Sequence, residues 1–116
     1  LTPNWDKCYL DLNENFQREP LRLAGIYYLS ERRHDTAAPF VQALDRADGL
    51  MSLVANTYAT KLMDKQMRAR EFELLTRVLN HVPLRRVTPH ADPARINDLC
   101  TRILSDFQSV LSAVNV

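Results

Sequence analysis

Residues 21–29 read LRLAGIYYL and follow directly on Pro20. The run is almost continuously apolar, and its second half is β-branched and aromatic, the composition of a strand covered on both faces. Phe40–Leu44 is a second, shorter strand candidate. Between them, residues 30–39 (SERRHDTAAP) carry charge without helical apolar spacing and read as a loop. Downstream the period changes from that of strands to that of helices. Asp45 is placed to cap a helix, with Asp48 near its positive end, and Ala47, Leu50, Met51, Val54, Tyr58 and Leu62 follow one helical face. Gly49 sits inside that helix at a cost of about 1 kcal/mol against Ala.

Asp64 caps a second helix whose inner face is Met67, Glu71, Phe72, Leu75, Val78, Leu79 and Val82, and Pro83 stops it. Leu84-Arg85-Arg86-Val87 follows, extended and bounded by Pro83 and Pro89, and reads as an edge strand. Asp92 and Pro93 then open a long amphipathic helix with Ile96, Leu99, Cys100, Ile103, Leu104, Phe107, Val110, Leu111 and Val114 on its apolar stripe. The elements predict a single α+β domain over residues 1–116. Three helices pack on a small sheet built from 21–29, 40–44 and 84–87, in two layers, with the last helix long. Residues 1–19 read as an irregular lead-in whose Trp5, Tyr9, Leu10, Leu12 and Phe16 are expected to dock on the core.

A chain of 116 residues, 46% hydrophobic and 25% charged, has the composition of one ordinary globular core and not of a disordered segment. Fifteen Lys and Arg stand against fourteen Asp and Glu, a formal charge of +1, so no broad positive field exists to attract nucleic acid or an anionic membrane. No apolar run approaches the length of a membrane span, and the first residues lack the layout of a signal peptide. Cys8 and Cys100 are far apart and share no ligand spacing with a histidine, which points to a reduced, cytoplasmic protein.

Glycine supplies the most informative exclusion. Gly25 and Gly49 stand alone, so the chain has neither a P-loop nor a dinucleotide-binding turn, and no GxSxG nucleophile elbow. His34, His81 and His90 form no metal-binding pair, and Cys100 on an apolar stripe reads as an inert buried thiol. Cationic doublets remain at Arg32-Arg33 in the charged loop and at Arg85-Arg86 on the short strand. Two guanidiniums together provide a fork of charged donors for phosphate or carboxylate. Arg85 and Arg86, bracketed by prolines, are the better candidate anion contacts.

The order of segments carries a family resemblance. Lys7-Cys8-Tyr9-Leu10 is followed by Pro20-Leu21-Arg22-Leu23-Ala24-Gly25-Ile26-Tyr27-Tyr28-Leu29, then by Leu44, Gly49-Leu50-Met51 and Asn56-Thr57-Tyr58. Phe72-Glu73-Leu74, Val82-Pro83-Leu84-Arg85-Arg86 and Asp92-Pro93-Ala94-Arg95 complete the series. Over nearly its whole length the chain resembles the C-terminal part of the HPr serine kinase-related proteins, bacterial kinases of the phosphoenolpyruvate-carboxykinase-like type. The resemblance implies that ATP and Mg belong to a parent protein, held by a P-loop and catalytic carboxylates upstream of Leu1. It implies no catalytic, cofactor-binding or metal residue in this chain. Lys7 corresponds to a basic position after the family's substrate-side loop and joins Arg85 and Arg86 as a candidate anion contact. The implied partners are the upstream nucleotide-binding half, a protein substrate and a second copy of the chain, with no nucleic acid and no membrane. Two other classes compete with this reading: a stand-alone protein-interaction module without phosphotransfer, and a helical nucleic-acid-binding domain resting on Arg85-Arg86. An upstream GxxxxGK[ST] decides for the kinase, and an initiating Met just before Leu1 decides for the module.

Overall fold

The structure, a computed structural model, describes residues 10–57 and 62–114. It contains strands β1 (Ile26–Leu29), β2 (Phe40–Ala43) and β3 (Leu84–Thr88), and helices α1 (Arg46–Ala55), α2 (Lys65–His81) and α3 (Ile96–Val114). The α+β class, the three helices and the long last helix are as expected. All three helix starts use the anticipated aspartates. Asp45 accepts from the Asp48 backbone N–H at 2.8 Å, and Asp64 from that of Met67 at 2.7 Å. Asp92 accepts from the Ala94 N–H at 3.0 Å and opens a short 3-10 turn, Pro93–Arg95, that leads into α3.

The sheet order is β1-β3-β2, with β1 parallel and β2 antiparallel to β3. This corrects the reading of residues 84–87 as an edge strand. Pro83 and Pro89 lie just outside β3, so every N–H from Leu84 to Thr88 is available to a ladder, and neighbours pair on both sides. Val87 is completely buried as a result. The edge strand is β1, which is shorter than the expected 21–29. Its first link to β3 is the Ile26 N–H bond to the Pro83 carbonyl at 3.0 Å. Before Pro83 the partner chain belongs to α2, so residues 21–25 have no strand to pair with. Leu21 and Leu23 are exposed, and so is Leu29.

Alternation along the strands assigns two faces to the sheet. Ile26, Tyr28, Leu84, Arg86, Thr88, Phe40 and Gln42 share one face, and Tyr27, Leu29, Arg85, Val87, Val41 and Ala43 share the other. Helix α1 covers the first face. A Cβ at Gly49 would stand 3.1 Å from Leu84 Cδ2 and 3.5 Å from Leu79 Cδ2, so glycine permits the close approach of α1 to β3 and α2. Helix α3 covers the second face through Tyr27, Arg85 and Asp106. The sheet therefore lies between helices, in contrast to the two-layer expectation.

The interior is thin. Among the described residues the buried apolar side chains are Ala38, Pro39, Leu84, Val87 and Val110, with Thr88 as the buried polar group. Of the stripe expected on α3, Val110 is buried and Ile103 and Phe107 are half-buried, while Ile96, Cys100, Leu104 and Leu111 are exposed. Cys100 is thus a free surface thiol and not a core residue. Helix α1 ends at Ala55, where the Asn56 side chain bonds back to the Ser52 carbonyl at 2.8 Å, so it stops short of the expected Leu62. Tyr58 lies outside the described residues. Leu10, Leu12 and Phe16 of the lead-in are exposed and do not dock, while Trp5 and Tyr9 fall outside the description.

Candidate functional site

Arg85 and Arg86 are consecutive residues of β3, so their side chains leave opposite faces of the sheet and do not form a shared fork. Arg85 meets α3. Its Nε lies 3.3 Å from Asp106 Oδ2, both side chains being 24% exposed. Tyr27, beside Arg85 in the β1–β3 register, donates its hydroxyl to the same carboxylate at 2.7 Å. The Tyr27 phenol is pushed up to about 12, first by burial and then by the hydrogen bond to Asp106, with Arg85 acting in the opposite direction. Asp106 therefore already serves as the counter-charge of Arg85, and the three side chains clamp the central and edge strands to α3.

Arg86 faces α1. Across the sheet it sits in one row with Tyr28 of β1 and Gln42 of β2. It is half-buried, and among the described residues no carboxylate lies in ion-pairing reach of its guanidinium. It lies in a groove of about 870 Å³ between the sheet and α1, with Tyr28, Phe40, Met51 and Ser52 among the other lining residues. Arg32 and Arg33 reach the same groove from the loop after β1. That loop is held in place: the Arg33 N–H donates to the Pro89 carbonyl at 2.9 Å, and the Arg33 carbonyl accepts from the Ala91 N–H at 2.8 Å. Arg33 also pairs with exposed Asp35 at 3.7 Å.

The two doublets that the sequence separates by more than fifty positions thus contribute to one place, through Arg32, Arg33 and Arg86, while Arg85 is turned away. No sequence signal announces this grouping. It depends on β1 and β3 being parallel neighbours, which carries the loop after β1 alongside the segment after β3. Lys7 lies outside the described residues.

A second cleft of about 470 Å³ adjoins the groove, sharing Ser30 and Arg32, and is lined mostly by Leu29, Pro89, Pro93, Ile96 and Leu99. His90 stands at its rim, its Nδ1 accepting from the Asp92 backbone N–H at 2.9 Å. Neither Gly25 nor Gly49 adopts a left-handed backbone, so neither forms a phosphate-wrapping turn. Among the described residues no three His, Cys, Asp or Glu side chains are grouped as metal ligands. The arrangement is suited to holding a ligand through charged donors. No helix among the described residues is long and apolar enough to cross a membrane. No family model, no curated protein and no solved structure matches the chain.

Proposed function

We propose that this chain is the non-catalytic, C-terminal part of a cytoplasmic, ATP-dependent serine kinase of the HPr-kinase-like type, and that its apolar surfaces are covered by the nucleotide-binding half of the same protein. The observation that carries this reading is the imbalance between core and surface. Five apolar side chains are buried among the described residues, while fourteen large apolar ones are exposed, including Leu21, Leu23 and Leu29 near the β1 edge. Apolar surface on this scale is normally covered by a partner. In this reading ATP and Mg are held by the upstream half, and the present residues support its sheet without touching the reacting phosphate.

Calorimetry with ATP and Mg on the isolated chain tests the proposal. No binding is expected, since the chain has no glycine-built cradle, and micromolar binding would overturn it. Reading the coding sequence upstream of Leu1 provides the complementary test, a GxxxxGK[ST] motif being the expected finding. A stand-alone interaction module is the second reading. It is favoured by the β1 edge, which has no strand on its outer side among the described residues, because such an edge can accept a strand from another protein.

A further inference from the structure

We propose that the groove between the sheet and α1 binds a small organic anion, an aromatic body bearing one phosphate or carboxylate group, and that Arg86 receives the anionic group. This goes beyond the kinase-part reading and does not depend on it.

The argument begins with two neighbours in the same strand. Arg85 and Arg86 are both half-buried on β3, and partial removal from water penalises a guanidinium that lacks a counter-charge. The fold provides Arg85 with Asp106. For Arg86 it provides an open groove and no carboxylate in reach among the described residues. Pairing on both sides fixes the backbone of Arg86 on the central strand, so a ligand has only the side chain left to order. Tyr28 and Gln42 in the same row add a hydroxyl and an amide as further donors. Arg32 and Arg33 approach from the loop anchored at Pro89 and Ala91.

The rest of the lining defines what carries the anion. Phe40, Met51 and Ala55 form an apolar part of the wall beside the Tyr28 ring, which suits a ring or short hydrocarbon body. Glu31 and Asp48 also line the groove, and Arg33 is already paired with Asp35, so the guanidiniums there are largely balanced and Arg86 is the one best placed to take a further anion. That balance suits one anionic group and disfavours a polyanion. Ser30 and Thr88 do not add free donors. The Ser30 hydroxyl donates to the Val87 carbonyl at 3.1 Å and is bonded to the Thr88 hydroxyl at 3.1 Å.

The test uses the full chain, titrated by calorimetry and by amide chemical shifts with phenyl phosphate, benzoate, inorganic phosphate and neutral benzyl alcohol. Phenyl phosphate or benzoate is expected to bind at one site, with shifts centred on Tyr28, Gln42, Ser52 and Arg86, and the tighter of the two identifies the anionic group. Benzyl alcohol is expected to bind far more weakly. Arg86→Gln is expected to weaken binding by at least about tenfold. Arg102→Gln removes the same charge from an exposed position on α3 and is expected to leave binding unchanged. Should Arg86→Gln fail to fold, Arg32→Gln on the exposed loop replaces it, with a loss of about threefold expected. The proposal is overturned if neither aromatic anion binds, if benzyl alcohol binds equally well, or if inorganic phosphate matches phenyl phosphate. Unchanged affinity in a folded Arg86→Gln, or in Arg32→Gln where that variant stands in, also overturns it.

Discussion

The hydroxyl of Tyr27 on β1 donates a 2.7 Å hydrogen bond to Asp106 of α3, a residue 79 positions further along the chain. The same carboxylate receives Arg85 Nε from the central strand at 3.3 Å. One side chain of α3 thus ties two strands to the helix. Asp106→Ala leaves the Arg85 guanidinium without its counter-charge at a half-buried position, and a loss of about 2–3 kcal/mol is expected by denaturant unfolding. Tyr27→Phe, which leaves the Arg85–Asp106 pair intact, should lose about 1 kcal/mol. Equal effects would show that the ion pair adds nothing beyond the phenol contact.

The same phenol makes stability depend on alkaline pH. In the folded chain its pKa lies at about 12, against 10.0 for an unperturbed tyrosine. Because the folded value is raised, the unfolded chain ionises first as pH rises. The stability contributed by this group is therefore complete below pH 10 and is lost as pH climbs towards about 12. Spectroscopic titration of tyrosinate in the folded protein should show a phenol ionising near pH 12, and Tyr27→Phe should remove that late step. Its persistence in the variant would assign the late phenol to another tyrosine.

Gly49 brings α1 close to the sheet. An added methyl group would stand 3.1 Å from Leu84 Cδ2, inside the packed region, so Leu84 must shift to admit it. Alanine in the helix gains up to about 1 kcal/mol of propensity, which offsets that shift, and Gly49→Ala is expected to alter stability by less than about 1 kcal/mol. Gly49→Val has no such compensation and should destabilise by about 1–3 kcal/mol. Thermal or urea unfolding of both variants checks the contrast, and a neutral Gly49→Val would mean that α1 and β3 are not in close contact.

Core and surface apolar residues should respond differently to truncation. Val87, wholly buried on the central strand, should lose about 2–3 kcal/mol when changed to alanine. Leu104, at 63% exposure on α3, should change by less than about 0.5 kcal/mol in the monomeric chain. Half-buried Ile103 should fall between them. Unfolding measured over a range of protein concentrations is the appropriate check. A Leu104→Ala loss approaching that of Val87→Ala, growing with concentration, would place that face in an interface between copies.

Local features of the fold were legible in the residues. The aspartates at 45, 64 and 92 cap the helices because a short side-chain oxygen reaches the free N–H groups of a first turn wherever that turn lies. The stop before Pro83 and the existence of three extended runs were equally local matters. The candidate site was only partly legible. Arg86 could be nominated from its bracketing prolines, but nothing local indicates that Arg85 would be neutralised by a carboxylate 21 residues on, or that Arg32 and Arg33 would arrive from the other side.

The sequence alone determined where the helices start, that three extended runs exist and that no glycine-rich phosphate motif is present, because capping, period and glycine content act over a few residues. Tertiary structure decided which strand is central, which faces are covered and which of Arg85 and Arg86 meets a carboxylate among the described residues. Those outcomes depend on pairing between segments more than forty residues apart, and the central place of β3 in the order β1-β3-β2 gives its two consecutive arginines, which alternate between the faces, different layers and different partners.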